Sequence, residues 1–343
     1  MPKLLRSKFV ATALGIAAFS AMLPTAPAIG AEWKMSTTYV DTRSEIAFFK
    51  KFIAAAEEKS GGDLKIQLFT GGSLGVKDVD MLRVLPQGNA IQIATTQPTY
   101  LSRDQPSFAV ALPTGVFDSV NDIEKVDNTL REIYGNVFDK WGIKLVGFLG
   151  HPASEGQIYC KTPVRTLNEM RTKKVRVWEK FQVDTLTELG VSAQIIPQNE
   201  LYLALANGVV DCTLYAAPWA NSLSLHEVAP YASFLFPLVL PPLNILASKK
   251  SYGQLGPKSQ KALASAAGDI WTETMALWIS GKQDAVEKKR YVDRGGKMLP
   301  PFSDADRAEY AAAARKVWEA AAKRVGPEAV EARRKILAAL SAN

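Results

Sequence analysis

A single arginine interrupts a short alternating run, KKVRVW at residues 173–178. Successive side chains of a β-strand point to opposite faces, so Arg176 would share one face with Trp178 and the valines would share the other. A guanidinium offers a planar fork of donors that binds a carboxylate through two parallel hydrogen bonds. The run itself leaves two alternatives open: Arg176 lies on the solvated face of an edge strand, or it binds an anionic ligand.

Familiar motifs for phosphate, dinucleotide and zinc-protease chemistry are absent from the sequence. There is no GxxxxGK[ST] loop, no GxGxxG after a predicted strand and no HExxH. The two histidines, His151 and His226, have no assignable partners for a hydrolytic triad, and two cysteines alone do not make a zinc site. We therefore expect a binding protein with no enzymatic activity, no cofactor and no bound metal.

The elements around Arg176 are predicted to alternate between strands and helices. Residues 173–216 read as strand, helix, strand, helix, strand. Upstream, Thr42 and Glu45 have capping-box spacing, and apolar residues then repeat every three or four positions up to Gly61. This alternation is typical of α/β architecture with largely parallel sheets. From residue 256 onward, long Ala-rich stretches predict helices that pack across the α/β part.

The first residues have the features of a secretory signal peptide. Lys3, Arg6 and Lys8 precede an uncharged apolar run, which is followed by small residues. The run is too short to span a bilayer. We expect residues 1–31 to be removed and the mature chain to be exported to the periplasm. An uncleaved anchor is the alternative, and no other apolar run is long enough for a membrane span.

Composition and charge fit a soluble exported protein. The chain has 343 residues, of which 47% are hydrophobic and 22% charged, which is ordinary for a globular protein. Removal of residues 1–31 takes away three basic residues and lowers the net charge from +7 to +4 (38 minus 34), which is too weak and dispersed to indicate a nucleic-acid partner. Export permits a disulfide between Cys160 and Cys212, and two buried thiols are the other alternative.

Two segments resemble the periplasmic solute-binding proteins of TRAP transporters, the DctP-like family. The segment EKSGGDLKIQLFTGGSLG, which ends at Gly75, is similar to one near the start of these mature receptors. Residues 173–211 are similar to the family's central run in order and spacing. The resemblance implies an α/β, two-lobe periplasmic-binding-protein-like fold of type II character, with hinge strands and long bracing C-terminal helices.

The same resemblance implies a function. The family binds small organic acid anions between two lobes that close on the ligand, and delivers them to TRAP membrane permease subunits. The arginine of the central run holds the ligand carboxylate, and that position is Arg176 in this sequence. We expect residues 32–153 with 216–250 to form lobe I. Residues 154–215 with 251–343 should form lobe II and the bracing helices.

Departures from the family pattern bear on the ligand. Tyr215 occupies a position that often holds a ligand-binding asparagine, Trp219 follows four residues later, and Trp178 replaces a common proline. The stretch that carries a second arginine in many members has none before Lys161. Aromatic faces bind rings by offset stacking. These departures favour a monocarboxylate with a hydrophobic or aromatic body.

Four residues of the first lobe are further candidates for ligand contact. Gln97 and Tyr100 follow one predicted strand, and Tyr39 and Asp41 follow another. Ligands approach open α/β sheets at the carboxyl ends of strands. Each of the four is otherwise an ordinary loop residue.

Two other classes of function were weighed against a TRAP receptor. A receptor for an ABC importer, or a ligand-sensing module for a signalling partner, would have a similar fold. An exported enzyme on an α/β scaffold would require a placed pair of acid–base groups, which the sequence does not indicate.

Overall fold

The structure is a computed structural model that describes residues 30–342. The predicted signal peptide, residues 1–31, lies outside the described residues except for its last two positions. Ala31 begins the first strand.

The first of two sheets has five strands within the described residues. These are β1 (Ala31–Ser36), β2 (Leu64–Phe69), β3 (Ile93–Thr96), β4 (Ile143–Leu149) and β10 (Leu243–Ser248). Their order is β2-β1-β3-β10-β4. The first three run parallel to one another, and β10 is antiparallel to both of its neighbours.

The second sheet has six strands in the same part of the chain. These are β5 (Glu155–Cys160), β6 (Lys174–Val177), β7 (Ser192–Ile195), β8 (Cys212–Tyr215), β9 (Tyr231–Pro237) and β11 (Lys297–Met298). Their order is β11-β9-β5-β8-β6-β7. β6 is parallel to both neighbours, and β5 is antiparallel to β8 and β9.

Helices cover the faces of both sheets. They are α1 (Glu45–Ser60), α2 (Met81–Val84), α3 (Asp122–Lys140), α4 (Leu167–Met170), α5 (Lys180–Glu188), α6 (Leu201–Ala206), α7 (Ala217–Ser222), α8 (Lys249–Gln254), α9 (Pro257–Ser280), α10 (Lys282–Asp293), α11 (Asp304–Val325) and α12 (Pro327–Ser341). None of the helices in residues 30–342 is long and apolar enough to cross a membrane.

The α/β fold is confirmed, and the sheets are largely parallel as predicted. In each sheet all described strands but one run in the same direction, and the exceptions are β10 and β5. One of the predicted lobe ranges differs from the strand pairing. The predicted lobe I range, 216–250, includes β9, which pairs with β5 in the second sheet. The chain therefore returns to the first sheet between Pro237 and Leu243, later than expected.

The C-terminal helices pack on both lobes. Helix α9 packs on α1 and β4, and α12 packs on α3, so both cover the first sheet. Helix α11 packs on α5 beside the second sheet. Its Arg315 Nε donates a 3.0 Å hydrogen bond to the carbonyl of Val116 in the first lobe. Helices within residues 251–343 thus pack on both lobes, as expected of bracing helices.

The two cysteines form a disulfide between neighbouring strands. Cys160 ends β5 and Cys212 begins β8, and the two residues pair directly in the antiparallel ladder. Both side chains are buried. The structure thus contains the disulfide rather than two buried thiols. The disulfide links β5 to the start of β8, the strand that ends at Tyr215.

Candidate ligand-binding site

A cavity of about 320 Å³ lies between the two lobes. Strands β1 and β3 of the first sheet and β6 and β8 of the second all end at it, as expected for ligand sites of open α/β sheets. Its wall consists of Tyr39, Arg43, Gln97, Thr99, Tyr100, Arg176, Trp178, Glu179, Ile195, Ile196, Pro197, Gln198, Tyr215, Trp219, Leu240 and Pro241. The size is at the lower end of the range for small-molecule pockets.

Seven of the eight residues predicted from the sequence meet at this cavity. They are Arg176, Trp178, Tyr215, Trp219, Gln97, Tyr100 and Tyr39. Asp41 does not line it and is exposed to solvent. The reason is a turn, closed by a 3.0 Å hydrogen bond from the amide of Arg43 to the carbonyl of Val40, which directs Asp41 away from the cavity. The position of Asp41 was therefore predicted wrongly.

Arg176 is buried at the cavity wall with part of its guanidinium unpaired. It lies in β6 and is only 2% exposed, so the alternative of a solvated strand face is wrong. Its Nε donates a 2.8 Å hydrogen bond to the carbonyl of Ile196, but its buried Nη1 has no partner among the described residues. Burial lowers the pKa of Arg176, and the nearby Tyr215 and Tyr100 oppose this shift. An anionic ligand would supply the missing partner.

Tyr215 lies next to this guanidinium, and Trp219 packs against Tyr215. The rings of Tyr215 and Trp219 are 5.6 Å apart, and the guanidinium carbon of Arg176 is 5.4 Å from the centre of the Tyr215 ring. Tyr215 ends β8, and Trp219 follows in α7. The Tyr215 hydroxyl and the indole Nε1 of Trp219 are buried without hydrogen-bond partners. Together with Arg176, they form a group of polar atoms that can donate to a ligand.

A second arginine, Arg43, lies at the cavity wall and was not predicted from the sequence as a site residue. Its Nε donates a 3.1 Å hydrogen bond to Glu45, whose side chain is fully buried. Burial would lower the pKa of Arg43, but Glu45 raises it above the ordinary value. Burial would likewise raise the pKa of Glu45, but Arg43 lowers it. The charge of Arg43 is therefore matched within the protein, whereas that of Arg176 is not.

Thr42 and Glu45 do not form the predicted capping box. Helix α1 begins at Glu45, and the preceding residue makes no side-chain capping bond. The Glu45 carboxylate binds Arg43 instead, because a buried carboxylate requires an opposite charge more than a helix end requires a cap. The sequence therefore predicted the start of the helix near Glu45 correctly, but the role of Glu45 there is to pair with Arg43.

The lobes contact each other beside the cavity through two pairs of side chains. Thr114, from the loop before α3, donates a 2.9 Å hydrogen bond to Glu179 at the start of α5. Arg43 Nη1 donates a 3.4 Å hydrogen bond to Gln198. Burial raises the pKa of Glu179 to about 7, although the bond from Thr114 opposes the shift. Glu179 was also missed, because its partner lies 65 residues away in the chain.

The described residues show no arrangement for hydrolysis or metal binding. Residues 71–75 have the GxSxG spacing of a nucleophile elbow. Ser73 is exposed in a turn after β2, however, and no helix begins there. His151 is buried, and its Nε2 lies 2.9 Å from the carbonyl of Pro241. Within residues 30–342, no cluster of three or more His, Cys, Asp or Glu side chains could hold a metal ion.

Comparisons with known proteins agree on one family. The family model described as bacterial extracellular solute-binding protein, family 7, matches residues 35–324. A solute-binding protein of Sulfitobacter sp. (strain NAS-14.1) is 26% identical over 262 residues, which cover 75% of this chain and 77% of the relative.

Solved structures of similar proteins have the same fold. One is DctP7, an extracytoplasmic solute receptor of Bordetella pertussis that binds pyroglutamic acid. Its TM-score is 0.77 at 18% sequence identity, and the alignment covers 91% of this chain and 99% of DctP7. A TRAP periplasmic solute-binding protein of Sulfitobacter sp. NAS-14.1, with bound β-D-galacturonate, has a TM-score of 0.72 at 23% identity, with 90% and 98% covered.

Proposed function

The chain belongs to family 7 of the bacterial extracellular solute-binding proteins, and on this premise we propose that it is the periplasmic receptor of a TRAP transporter. It binds a small organic acid anion in the cavity between the lobes and delivers it to the membrane permease subunits. The ligand is a monocarboxylate with a hydrophobic or aromatic body. The receptor performs no catalysis.

The observation that carries this proposal is the unpaired guanidinium of Arg176. A buried charge without a partner is costly, and a carboxylate held by two hydrogen bonds removes that cost. Nη1 is the atom that lacks a partner, while Nε is already bound to Ile196. The cavity therefore favours an anion over a neutral analogue of the same shape.

The distribution of charge supports one carboxylate rather than two. Arg43 and Glu45 neutralise each other, so Arg176 is the arginine of the cavity wall that has no acidic partner among the described residues. A second ligand carboxylate would have to compete with Glu45 for Arg43.

The apolar part of the wall supports a ligand with a hydrophobic or aromatic body. It comprises Trp178, Trp219, Ile195, Ile196, Leu240, and two prolines. Trp178 is partly buried and packs against the core of the second lobe, which fixes one ring at the cavity. Acids are also the ligands of the similar receptors from B. pertussis and Sulfitobacter.

Binding is coupled to closure of the lobes. The contacts of Thr114 with Glu179 and of Arg43 with Gln198 join residues from opposite lobes beside the cavity. A ligand that touches both lobes stabilises the closed state through contacts that the open state lacks. The permease would then recognise the closed receptor.

A thermal-shift screen tests the proposed function. The mature protein is melted with aromatic, aliphatic and dicarboxylic acids, and with neutral sugars and amines as controls. A ligand at 100 times its dissociation constant should stabilise the protein by about 2.7 kcal/mol. We expect monocarboxylates with a ring to give the largest shifts. Shifts from neutral sugars or amines alone would refute the anion site.

A further inference from the structure

Glu179 is an acceptor at the cavity whose hydrogen-bonding capacity is largely unused. It precedes α5, but its side chain does not cap that helix. Its one side-chain hydrogen bond in the described structure comes from the hydroxyl of Thr114, at 2.9 Å. An ionised carboxylate has about four lone-pair sites, so several remain free at the cavity wall.

The charge of Glu179 is not offset by the protein. Burial raises its pKa, and no basic side chain of residues 30–342 lies close enough to lower it. Arg43 is paired with Glu45, and the Arg176 guanidinium lies against Tyr215. The other titratable groups near Glu179 are Tyr100 and Tyr310, and the charge of Glu179 contributes to raising the pKa of each. Below pH 7 protonation removes this charge, and above pH 7 a hydrogen-bond donor of the ligand can compensate it.

The cavity wall offers a ligand both hydrogen-bond donors and an acceptor. Arg176, Tyr215 and Trp219 contribute buried donors without partners, and Glu179 contributes an acceptor with one side-chain hydrogen bond in the described structure. A ligand that satisfies both sets presents its carboxylate to the donors and a donor of its own to Glu179. A buried polar group left unpaired costs binding energy, so a ligand without such a donor is penalised.

We propose that Glu179 is a specificity-determining residue that selects acids carrying a hydrogen-bond donor, namely a hydroxyl, an amide N–H or an ammonium group, in addition to the carboxylate. This inference rests on the proposed function, because it assumes that the carboxylate binds Arg176. It narrows the ligand class from monocarboxylates in general to hydroxy, amide or amino acids.

Calorimetry with matched pairs of acids tests the inference. One pair is pyroglutamate and 3-oxocyclopentanecarboxylate, which replaces only the ring N–H by CH2; the other is phenyllactate and 3-phenylpropanoate. In each pair, the second acid lacks the donor but keeps the carboxylate and the ring. Measurements at pH 8 keep Glu179 ionised. For wild-type protein we expect the donor-bearing acid of at least one pair to bind tenfold or more tighter than its analogue, since a hydrogen bond to a charged group contributes this much.

Three variants separate this role from a purely structural one. Glu179→Leu should reduce the ratio within that pair to about twofold, and it should bind the donor-free acid no more weakly than Thr114→Val does, because both variants lack the same hydrogen bond between the lobes. Glu179→Gln keeps an acceptor without the charge and should retain part of the ratio. Thr114→Val removes the contact between the lobes and should weaken both acids of a pair by the same factor.

Two results would overturn the inference. One is a ratio near one in both pairs for wild-type protein. The other is an equal loss of affinity for both acids in Glu179→Leu, which would mean that Glu179 only joins the lobes. If the acids bind in an Arg176-dependent manner but without discrimination, only this inference fails. If none of the four acids binds to wild-type protein, the proposed ligand class fails and the inference falls with it.

Discussion

The raised pKa of Glu179 makes a quantitative prediction about pH. Glu179 accepts a hydrogen bond from Thr114 of the other lobe, and burial raises its pKa from the ordinary 4.5 to about 7. In the proposed mechanism this environment forms when the lobes close. Closing therefore favours the protonated form, so the closed state is most stable at low pH and loses stability as pH rises through 7. The affinity for a carboxylate without a donor should follow the same trend.

The size of the effect follows from the two pKa values. In an open state that exposes Glu179 to water, its carboxylate stays ionised between pH 6 and pH 8, whereas in the described arrangement it changes from about nine-tenths to about one-tenth protonated. The dissociation constant should rise about tenfold over this interval, or about 1.4 kcal/mol. The tyrosines near Glu179, Tyr100 and Tyr310, have raised pKa values and do not titrate here. The ligand also stays ionised, since carboxylic acids titrate near pH 4.

Calorimetry with 3-phenylpropanoate at pH 6, 7 and 8 measures this effect. Glu179→Gln is the matched control, because the amide occupies the same space and cannot titrate in this range. We expect a tenfold change in the wild type and a flat profile in the variant. A flat profile in the wild type, or the same slope in both proteins, would refute the assignment of the effect to Glu179.

Other predictions concern stability and ligand contact. Reducing the Cys160–Cys212 disulfide should lower the free energy of unfolding by about 4 kcal/mol, because it opens a loop with a sequence separation of 52; denaturant titration with and without reductant measures this. Arg43→Met leaves Glu45 buried and unpaired, so it should cost about 3–5 kcal/mol, and an unchanged melting temperature would contradict the ion-pair account. Trp178→Ala should weaken an aromatic acid more than an aliphatic one in calorimetry, whereas equal loss would show that the ring has no role in selection.

Local patterns predicted the strands around the cavity well. The alternation near Arg176 predicted β6, and the apolar runs that follow predicted β7 and β8. These predictions succeed because the burial of a strand face shows in the pattern of consecutive residues. The pairing of β9 was not predictable in the same way. It joins β5 across about 70 intervening residues, and nothing in either strand specifies which sheet it enters.

For the candidate site too, residues that belong to a short local pattern were predicted, and residues that depend on contacts made only in the fold were not. Arg176 and Trp178 were found from a run of six residues, and the resemblance to a known family gave Arg176 a role. Glu179 lies in the next turn but was missed, because its burial depends on Thr114 from the other lobe. Arg43 was missed because its neighbour Glu45 matched a capping-box spacing, and only the fold reveals that both side chains turn inward.

The central claim is that Arg176 binds the carboxylate of the ligand. Calorimetry with the best acid from the thermal-shift screen tests it in wild type and in Arg176→Lys, which keeps the charge and loses the planar fork. Lys174→Gln is the control, since it removes an exposed charge from the same strand. We predict that Arg176→Lys weakens binding by tenfold to a hundredfold, as expected for one lost hydrogen bond to a charged group, and that the control binds like wild type. Unchanged affinity in Arg176→Lys would contradict the account.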